Sequence, residues 1–188
     1  MLKLKVMMIV RLILVFSIYS TNSVLCFAQG VETLMYTQST YQRIQYVEDA
    51  VLWGISDYWA TPVETLTKQQ GDCEDIAIAK YFSLLNKRVP REKLRLVYVL
   101  KGGSVHMVLE YFEGNLIYVL DSRYEQIYLA DRYYKRTRLA SFNHDYLWVN
   151  EHVFRITQIT LHKWSELLDK IDFRHQARFK ELETEVFR

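Results

Sequence analysis

The segment from Gly71 to Leu85 limits the folds open to this chain more than any other part of the sequence. Asp72 is a good helix N-cap residue, and Asp75 stands three positions later, where a carboxylate meets the first backbone N–H groups. The residues that follow are largely apolar, and such a helix is stable only when other elements cover it. The sequence therefore predicts a helix that runs to about Leu85 and carries Cys73 in its first turn.

Two further helices are predicted before this one. Apolar residues at steps of three and four indicate one amphipathic helix from about Tyr41 to Trp59. These residues are Ile44, Val47, Val51, Ile55 and Trp59. A short second helix is expected to open at Thr61, with Pro62 at its first position and Glu64 as the capping-box acid. Gly71 ends that turn.

Beyond Pro90 the hydrophobic period changes from that of a helix to that of a strand. The predicted strands span residues 94–100, 105–112 and 116–121. The second and third of them should form an antiparallel hairpin. If its two-residue loop is Glu113-Gly114, His106 lies directly opposite Asp121 on one face. A slip of one residue would put these two side chains on opposite faces.

The first 28 residues have the order of a secretory signal peptide. Two lysines precede an apolar stretch, residues 6–19, which only Arg11 interrupts, and small residues lead to a cleavage site after Ala28. The stretch is too short and too interrupted for a membrane anchor. We therefore expect export to the periplasm and a single mature domain, residues 29–188.

Removal of this segment changes both the charge and the cysteine count. It takes three of the 24 basic residues and none of the 22 acids, so the net charge goes from +2 to −1. A near-neutral domain without a basic run gives no electrostatic case for nucleic-acid binding. Cys26 is removed too, and Cys73 is left without a partner for an internal disulfide. A composition that is 50% hydrophobic, with six glycines and two prolines, excludes collagen and bulk disorder.

Cys73 is the candidate nucleophile. Backbone N–H groups and the macrodipole at a helix start favour an anion, so position alone predicts a lowered thiol pKa. His106 is the candidate general base, and Asp121 is the carboxylate that would orient its ring. The structural alternatives are an inert buried cysteine and a core histidine that is merely hydrogen-bonded. The helix start and the carboxylate across the hairpin favour the catalytic interpretation.

The C-terminal segment adds little chemistry. Apolar residues at helical spacing from Leu161 to Ile171 predict an amphipathic helix that covers the core. The charged end, Arg174 to Arg188, is predicted to be a solvated or frayed face. Four tyrosines could flank a cleft or be half-buried strand residues, and no function is assigned to them: Tyr124, Tyr128, Tyr133 and Tyr134. The remaining histidines are expected to be surface or packing residues: His144, His152, His162 and His175.

Five blocks between Trp53 and Trp148 form a recognisable set. They are Asp57 to Glu64, Gly71 to Phe82, His106 to Leu109, Val119 to Asp121 and Ser141 to Asn143. This set resembles the bacterial transglutaminase-like cysteine proteinases, most specifically around Cys73. The resemblance implies a papain-like α+β fold with N-terminal helices, a nucleophile helix packed on an antiparallel sheet, and a C-terminal helix.

The resemblance also implies an activity and its residues. Cys73 matches the nucleophile, His106 the general base and Asp121 the orienting acid of a periplasmic cysteine endopeptidase. By resemblance the substrate is the N-terminal region of a large surface adhesin, whose cleavage controls biofilm attachment. An inner-membrane receptor that sequesters the protease is implied as a second partner. One departure is Ser122, since the family often has asparagine directly after the acid.

The resemblance further implies dependence on Ca²⁺, with Asp72 and Glu74 as ligands. A physical argument points the same way, because Asp72, Glu74 and Asp75 crowd the thiol and should raise its pKa. Capping explains Asp72 and Asp75 but leaves Glu74 unexplained. A bound Ca²⁺ would neutralise part of this charge through oxygen ligands.

Two other classes of function share these features. A related transferase would form the same acyl-enzyme and pass it to a lysine amine. A non-catalytic binding module would keep the fold and the calcium site, with Cys73 as a relic. Product analysis separates the first alternative from a protease, and the alkylation rate of Cys73 separates the second.

Overall fold

The structure is a computed structural model that describes residues 29–134, 138–150, 152–157 and 161–188. The predicted signal peptide, residues 1–28, lies outside these residues. The chain divides into two units, 1–34 and 35–188, and the described residues of the first, 29–34, are helical. Every residue predicted to be functional belongs to the second unit. Within the described ranges, no helix is both long and apolar enough to cross a bilayer.

Short elements precede the central helix. In chain order they are a helix over residues 35–41 (α1), β1 (Gln45–Tyr46), α2 (Asp49–Leu52), α3 (Pro62–Lys68) and β2 (Gln70–Gly71). The central helix α4 follows directly (Cys73–Asn86). β1 and β2 pair in parallel, and this pairing ties the chain before α2 to the residues just before Cys73.

The predicted single helix from Tyr41 to Trp59 is wrong. Backbone N–H groups in this segment bond to the chain before α4 instead of to the preceding helical turn: Gln45 N–H to Gln69 O (3.0 Å) and Val47 N–H to Gly71 O (3.1 Å). Two of the residues that suggested the helix are exposed, Val51 at 78% and Ile55 at 55%. Their helical spacing did not mark a buried face.

The two helix starts that the sequence predicted are confirmed. Thr61 and Glu64 form a complete capping box at the start of α3, with Pro62 in its first turn. The Asp72 carboxylate accepts a hydrogen bond from Asp75 N–H at the start of α4. From Asp75 to Leu84 every residue of α4 is buried, as its apolar sequence requires.

An antiparallel sheet forms the other layer. Its strands are β3 (Leu94–Lys101), β4 (Ser104–Glu113), β5 (Leu116–Leu120), β6 (Tyr128–Leu129), β7 (Arg138–Phe142), β8 (Tyr146–Val149) and β9 (His152–Arg155). They lie in the order β6-β5-β4-β3-β7-β8-β9, and a short helix α5 (Ala130–Tyr133) follows β6. The helix α4 packs against β3 and β4. This is the predicted α+β architecture, with the cysteine helix packed on the central strands.

The β4–β5 hairpin has its predicted face but not its predicted register. Glu113 pairs with Leu116, so the loop is Gly114-Asn115, and the register differs by two residues from the predicted one. Gly114 has a φ of +55°, which suits the first central position of a two-residue hairpin loop. A displacement of two preserves the side-chain face, so His106 and Asp121 still share it.

Two helices follow the sheet, α6 (His162–Asp169) and α7 (Phe173–Val186). The predicted helix between Leu161 and Ile171 is confirmed as α6, which buries Trp164 and Leu167. The predicted solvated or frayed face, Arg174 to Arg188, is largely exposed but not frayed, because most of it lies in the N-capped helix α7. It buries Phe179 and Leu182, because it packs against α3.

Candidate active site

Cys73 and His106 line the same cavity, which has a volume of about 240 Å³. The start of α4 contributes Cys73, and the adjacent strand β4 contributes His106. The residue after the histidine, Met107, donates its backbone N–H to the Cys73 sulfur. Trp59 and Tyr98 also line this cavity. A peptide carbonyl in this cavity would therefore meet a thiol and an imidazole together.

His106 is held by Asp121. The His106 Nε2 atom lies 2.7 Å from Asp121 Oδ1, and both side chains are fully buried. Burial works to raise the pKa of Asp121, but the bond and charge of His106, with hydrogen bonds from Tyr133 and Arg123, outweigh it and lower the pKa to about 2. Asp121 is thus an ionised acceptor for the ring.

The other nitrogen of His106 is available for proton transfer. Nδ1 is buried and has no hydrogen-bond partner among the residues that the structure describes. Because an ionised carboxylate can only accept, the neutral form of His106 carries its proton on Nε2 and presents a lone pair at Nδ1. Such a tautomer can take a proton from a thiol in the same cavity.

The loop that carries Asp121 is fixed by one side chain from α1 and one from the residue directly after it. Gln38 donates its amide N–H groups to the carbonyls of Asp121 (2.8 Å) and Tyr124, and Gln42 donates to the carbonyl of Ser122 (2.8 Å). The Gln38 carbonyl accepts from the ammonium group of Lys80 at 2.8 Å. Because Lys80 can only donate, it fixes which end of the Gln38 amide faces the loop.

Lys80 itself is an unusual residue of the nucleophile helix. Its side chain is fully buried, and burial lowers its pKa to about 7 although the charge of Asp121 opposes this effect. At Ser122, where the family often has asparagine, the hydroxyl is buried and has no partner among the described residues. One feature of the sequence could have indicated the hydrogen bonds around the Asp121 loop: Lys80 is a lysine in an otherwise apolar helix segment.

Three carboxylates cluster beside the cysteine. Oxygen atoms of Asp49, Asp72 and Glu74 all lie within 4.8 Å of one another. Asp72 and Glu74 are the residues that the sequence analysis named as calcium ligands. Asp49 was missed: the sequence predicted one long helix through this position, whereas in the structure Asp49 begins the short helix α2.

The chemistry of this cluster suits a divalent cation. Burial, together with the charges of Glu74, Asp75 and Asp49, raises the pKa of Asp72 to about 9. One carboxylate oxygen of Asp49 is buried without a partner among the described residues, while the other accepts from Tyr58 N–H. None of these three carboxylates forms an ion pair with a basic side chain among the described residues, and carboxylates are the hard oxygen donors that Ca²⁺ prefers. The residues therefore fit a calcium ion.

Asp75 serves the loop and not the cluster. Its Oδ1 atom accepts a hydrogen bond from Ala60 N–H at 2.7 Å, which ties the residue before α3 to the nucleophile helix. The side chain lies against Gly71, where an added Cβ would come within 2.7 Å of Asp75 Cβ. A glycine at position 71 is what lets this carboxylate turn inward.

The Cys73 thiol is more basic than its position at a helix start predicts. Burial and the charge of Glu74, whose Oε2 atom lies 3.0 Å from Cys73 Sγ, raise the Cys73 pKa well above its ordinary value. The Met107 N–H opposes this shift but does not reverse it. Burial, which is the larger cause, and the Glu74 carboxylate thus raise the Cys73 pKa that the helix start was expected to lower.

Besides the Cys73 backbone N–H, two residues were candidates for a second hydrogen-bond donor to an oxyanion, Trp59 and Gln69, and they lie in different places. Trp59 lines the cavity and stacks on Phe142, with ring centroids 5.8 Å apart. Gln69 is exposed and is the C-cap of α3, where its backbone adopts a φ of +51°. Trp59 is thus beside the cavity, and Gln69 is not among the residues that line it.

A cysteine at the start of a buried helix, packed on an antiparallel sheet that carries a histidine–carboxylate pair, places this chain in the class of transglutaminase-like folds. Residues 24–153 match the family described as bacterial transglutaminase-like cysteine proteinase BTLCP, and the chain belongs to this family. Among curated proteins no match was found.

Solved structures of LapG from Legionella pneumophila are similar to this chain. The calcium-bound LapG is 31% identical with a TM-score of 0.65, and the match covers 74% of this chain and 79% of that one. The EGTA-treated LapG has the same identity and coverage of this chain, a TM-score of 0.66, and 78% coverage of its own length. A third LapG structure matches with a TM-score of 0.65 and 31% identity over 74% of this chain and 77% of that one.

Proposed function

We propose that this protein is a calcium-dependent cysteine endopeptidase in which Cys73 is the nucleophile, His106 the general base and Asp121 the residue that orients the imidazole. One observation carries the proposal. Cys73 and His106 line one cavity, and the imidazole is hydrogen-bonded to a buried carboxylate at 2.7 Å, in a chain of a cysteine proteinase family. This arrangement is the nucleophile, base and orienting group of covalent catalysis.

The reaction proceeds through a thioester. His106 Nδ1 takes the proton of the Cys73 thiol as the sulfur attacks the peptide carbonyl carbon. The tetrahedral intermediate collapses when His106 returns that proton to the leaving nitrogen, which breaks the C–N bond and leaves an acyl-Cys73. Water then attacks the thioester and gives one proton to His106. The thiolate leaves and regains that proton, and the new carboxyl terminus is released.

The calcium site consists of Asp49, Asp72 and Glu74. A calcium ion, when bound, supplies positive charge that neutralises these carboxylates and fixes the loop before α4. Glu74 is the residue that links this site to the nucleophile, because its carboxylate lies 3.0 Å from the Cys73 sulfur. Turning that carboxylate towards a cation would relieve the main charge that opposes the thiolate.

The substrate we propose is the N-terminal region of a large surface adhesin, cut in the periplasm, so that cleavage releases the adhesin and controls biofilm attachment. An inner-membrane receptor that sequesters the protease is the proposed second partner. The resemblance of the sequence supports both, and the half-enclosed cavity of about 240 Å³ suits one or two small residues around the scissile bond.

Incubation with an N-terminal adhesin fragment tests this function. We expect the mass of the products to show two peptides that together gain one water, in calcium and not in EGTA. Cys73→Ala and His106→Ala should abolish cleavage and keep the fold by circular dichroism. His152→Ala, which changes an exposed histidine of β9, is the matched control and should cleave normally. Crosslinked products without hydrolysis would instead support the transferase.

A further inference from the structure

We propose that Tyr133 is a positioning residue for the imidazole, acting through the second carboxylate oxygen of Asp121. The inference rests on the proposed function of His106 and Asp121. It concerns a tyrosine to which the sequence assigned no function, on the short helix α5 that follows β6.

The two oxygens of Asp121 have different partners. Oδ1 accepts from His106 Nε2 at 2.7 Å and from the backbone N–H of Arg123 at 2.9 Å. Oδ2 accepts from the hydroxyl of Tyr133 at 2.6 Å. Because each oxygen is bound from a different direction, the carboxylate plane is fixed, and with it the ring that the first oxygen orients.

Solvent does not reach the carboxylate of Asp121, which has no exposed surface. Among the described residues, the other group recorded beside Oδ2 is the ammonium of Lys101 at 3.7 Å, beyond hydrogen-bonding distance. Removing the Tyr133 hydroxyl therefore leaves a buried charged oxygen without a hydrogen bond. The carboxylate can then rotate towards Lys101 and away from the geometry that holds His106.

Lys101 depends on the same tyrosine. Its ammonium group lies 3.8 Å from the centre of the Tyr133 ring and 4.5 Å from that of Tyr124. The ring of Tyr133 thus contacts the Lys101 ammonium group beside Asp121, while its hydroxyl donates a hydrogen bond to the carboxylate. Tyr133→Phe keeps the contact between the Lys101 ammonium group and the ring and removes only the hydrogen bond. The variant therefore isolates the effect of the hydroxyl on Asp121.

Tyr134 provides a matched control. Both tyrosines pack against the same buried cluster on the sheet, formed by Val97, Val99, Val108 and Val119. The Tyr134 hydroxyl lies beside Glu110 and not beside Asp121. Tyr134→Phe therefore removes a hydroxyl from the same environment without touching the histidine–carboxylate pair.

Steady-state cleavage of the adhesin fragment, in saturating calcium, is the first measurement. We expect Tyr133→Phe to lower kcat about tenfold or more with KM unchanged, because a hydrogen bond to a buried charge is lost. Tyr134→Phe should keep kcat within about twofold of the wild type. Equal kcat values for the two variants would overturn the inference.

The second measurement does not depend on activity. The proton of His106 Nε2, identified by its loss in His106→Ala, should give a downfield NMR signal that shifts in Tyr133→Phe and stays in place in Tyr134→Phe. A signal that moves in neither variant contradicts the role of Tyr133 even in an active enzyme. If the wild-type protein cleaves nothing, the proposed function fails, and this signal still decides whether Tyr133 holds the pair.

Discussion

Gly71 is the residue at which the loop before the nucleophile helix has no room for a side chain. The close approach of Asp75 accounts for this, since that carboxylate is buried and bonded to Ala60 N–H. The φ of Gly71 lies outside the left-handed region, so the backbone conformation does not require glycine. Glycine is needed here because there is no space for a side chain. A single added carbon atom, the Cβ of an alanine at position 71, would thus disturb the chain that carries Asp72 and Cys73.

We predict that Gly71→Ala lowers the free energy of unfolding by about 2–3 kcal/mol, as overpacking does in a tight core. Gly114→Ala is the control, because its added Cβ meets nothing within 4 Å and only the φ of +55° is strained, which costs about 1 kcal/mol. Urea unfolding measures both. Equal losses would show that Asp75 moves aside freely.

Asp49 is a candidate calcium ligand that lies far from the other two ligands in the sequence. It lies 23 and 25 positions before the acids it joins, and only the β1–β2 pairing brings the two segments together. We predict that Asp49→Asn weakens calcium binding about tenfold or more in calorimetry, since one of three charged oxygen donors is lost. Glu48→Gln, at an exposed neighbour outside the cluster, should bind like the wild type. Unchanged affinity in Asp49→Asn would remove it from the site.

Among the helices and strands, the features that depend on local sequence could be predicted, and those that depend on long-range pairing could not. The capping residues at Thr61 and Asp72 act on backbone groups within one turn, so the starts of α3 and α4 could be predicted from sequence. The face shared by His106 and Asp121 was also predictable, because it depends only on strand parity. The course of residues 42–60 was not, because its hydrogen bonds go to the chain near Gly71.

The same distinction holds for the groups around the candidate site. Gln38 reaches Asp121 across 83 positions of the chain, and Tyr133 reaches it across 12 positions from the helix that follows β6. No periodicity or spacing links such residues, since their contacts arise only when the sheet and the first helices have packed. The sequence therefore indicated the candidate nucleophile, base and orienting acid, but not the side chains that contact Asp121.

The C-terminal helix α7 is an integral layer of the domain. Phe179 is buried in it, whereas Phe173, in the first turn of the same helix, is 85% exposed. We predict that Phe179→Ala lowers the free energy of unfolding by about 3–5 kcal/mol, from lost burial and the cavity left behind. Phe173→Ala should change it by about 0.5 kcal/mol or less. Denaturant unfolding of both variants gives the comparison, and a similar small effect in both would mean that α7 is not docked.

For the molecule as a whole, Lys80 makes stability depend on pH. Burial lowers its pKa in the folded state to about 7, below the value of about 10.4 in an unfolded chain. Below the folded pKa the buried charge destabilises the fold fully, and this effect disappears as the pH rises through the unfolded pKa. The contribution of Lys80 to stability therefore rises from pH 7 to about pH 10.

We predict that Lys80→Met lacks this rise, so the stability of the wild type relative to the variant increases from pH 7 to about pH 10. Lys180→Met, at an exposed lysine of α7, should run parallel to the wild type over the same range. Thermal unfolding at pH 7, 8.5 and 10 measures the three proteins. A wild type whose stability relative to Lys80→Met is flat with pH would mean that the buried amine keeps its charge at no cost.

The central claim is that the sulfur of Cys73 forms a covalent acyl-enzyme with help from His106. Its most direct test is the intact mass of the calcium-loaded protein, quenched in acid at early times of reaction with the adhesin fragment. We predict an added mass equal to the N-terminal product less one water, carried by the peptide that contains Cys73 and removed by hydroxylamine. Cleavage at the normal rate by Cys73→Ala, with no adduct on the wild type, would contradict the account.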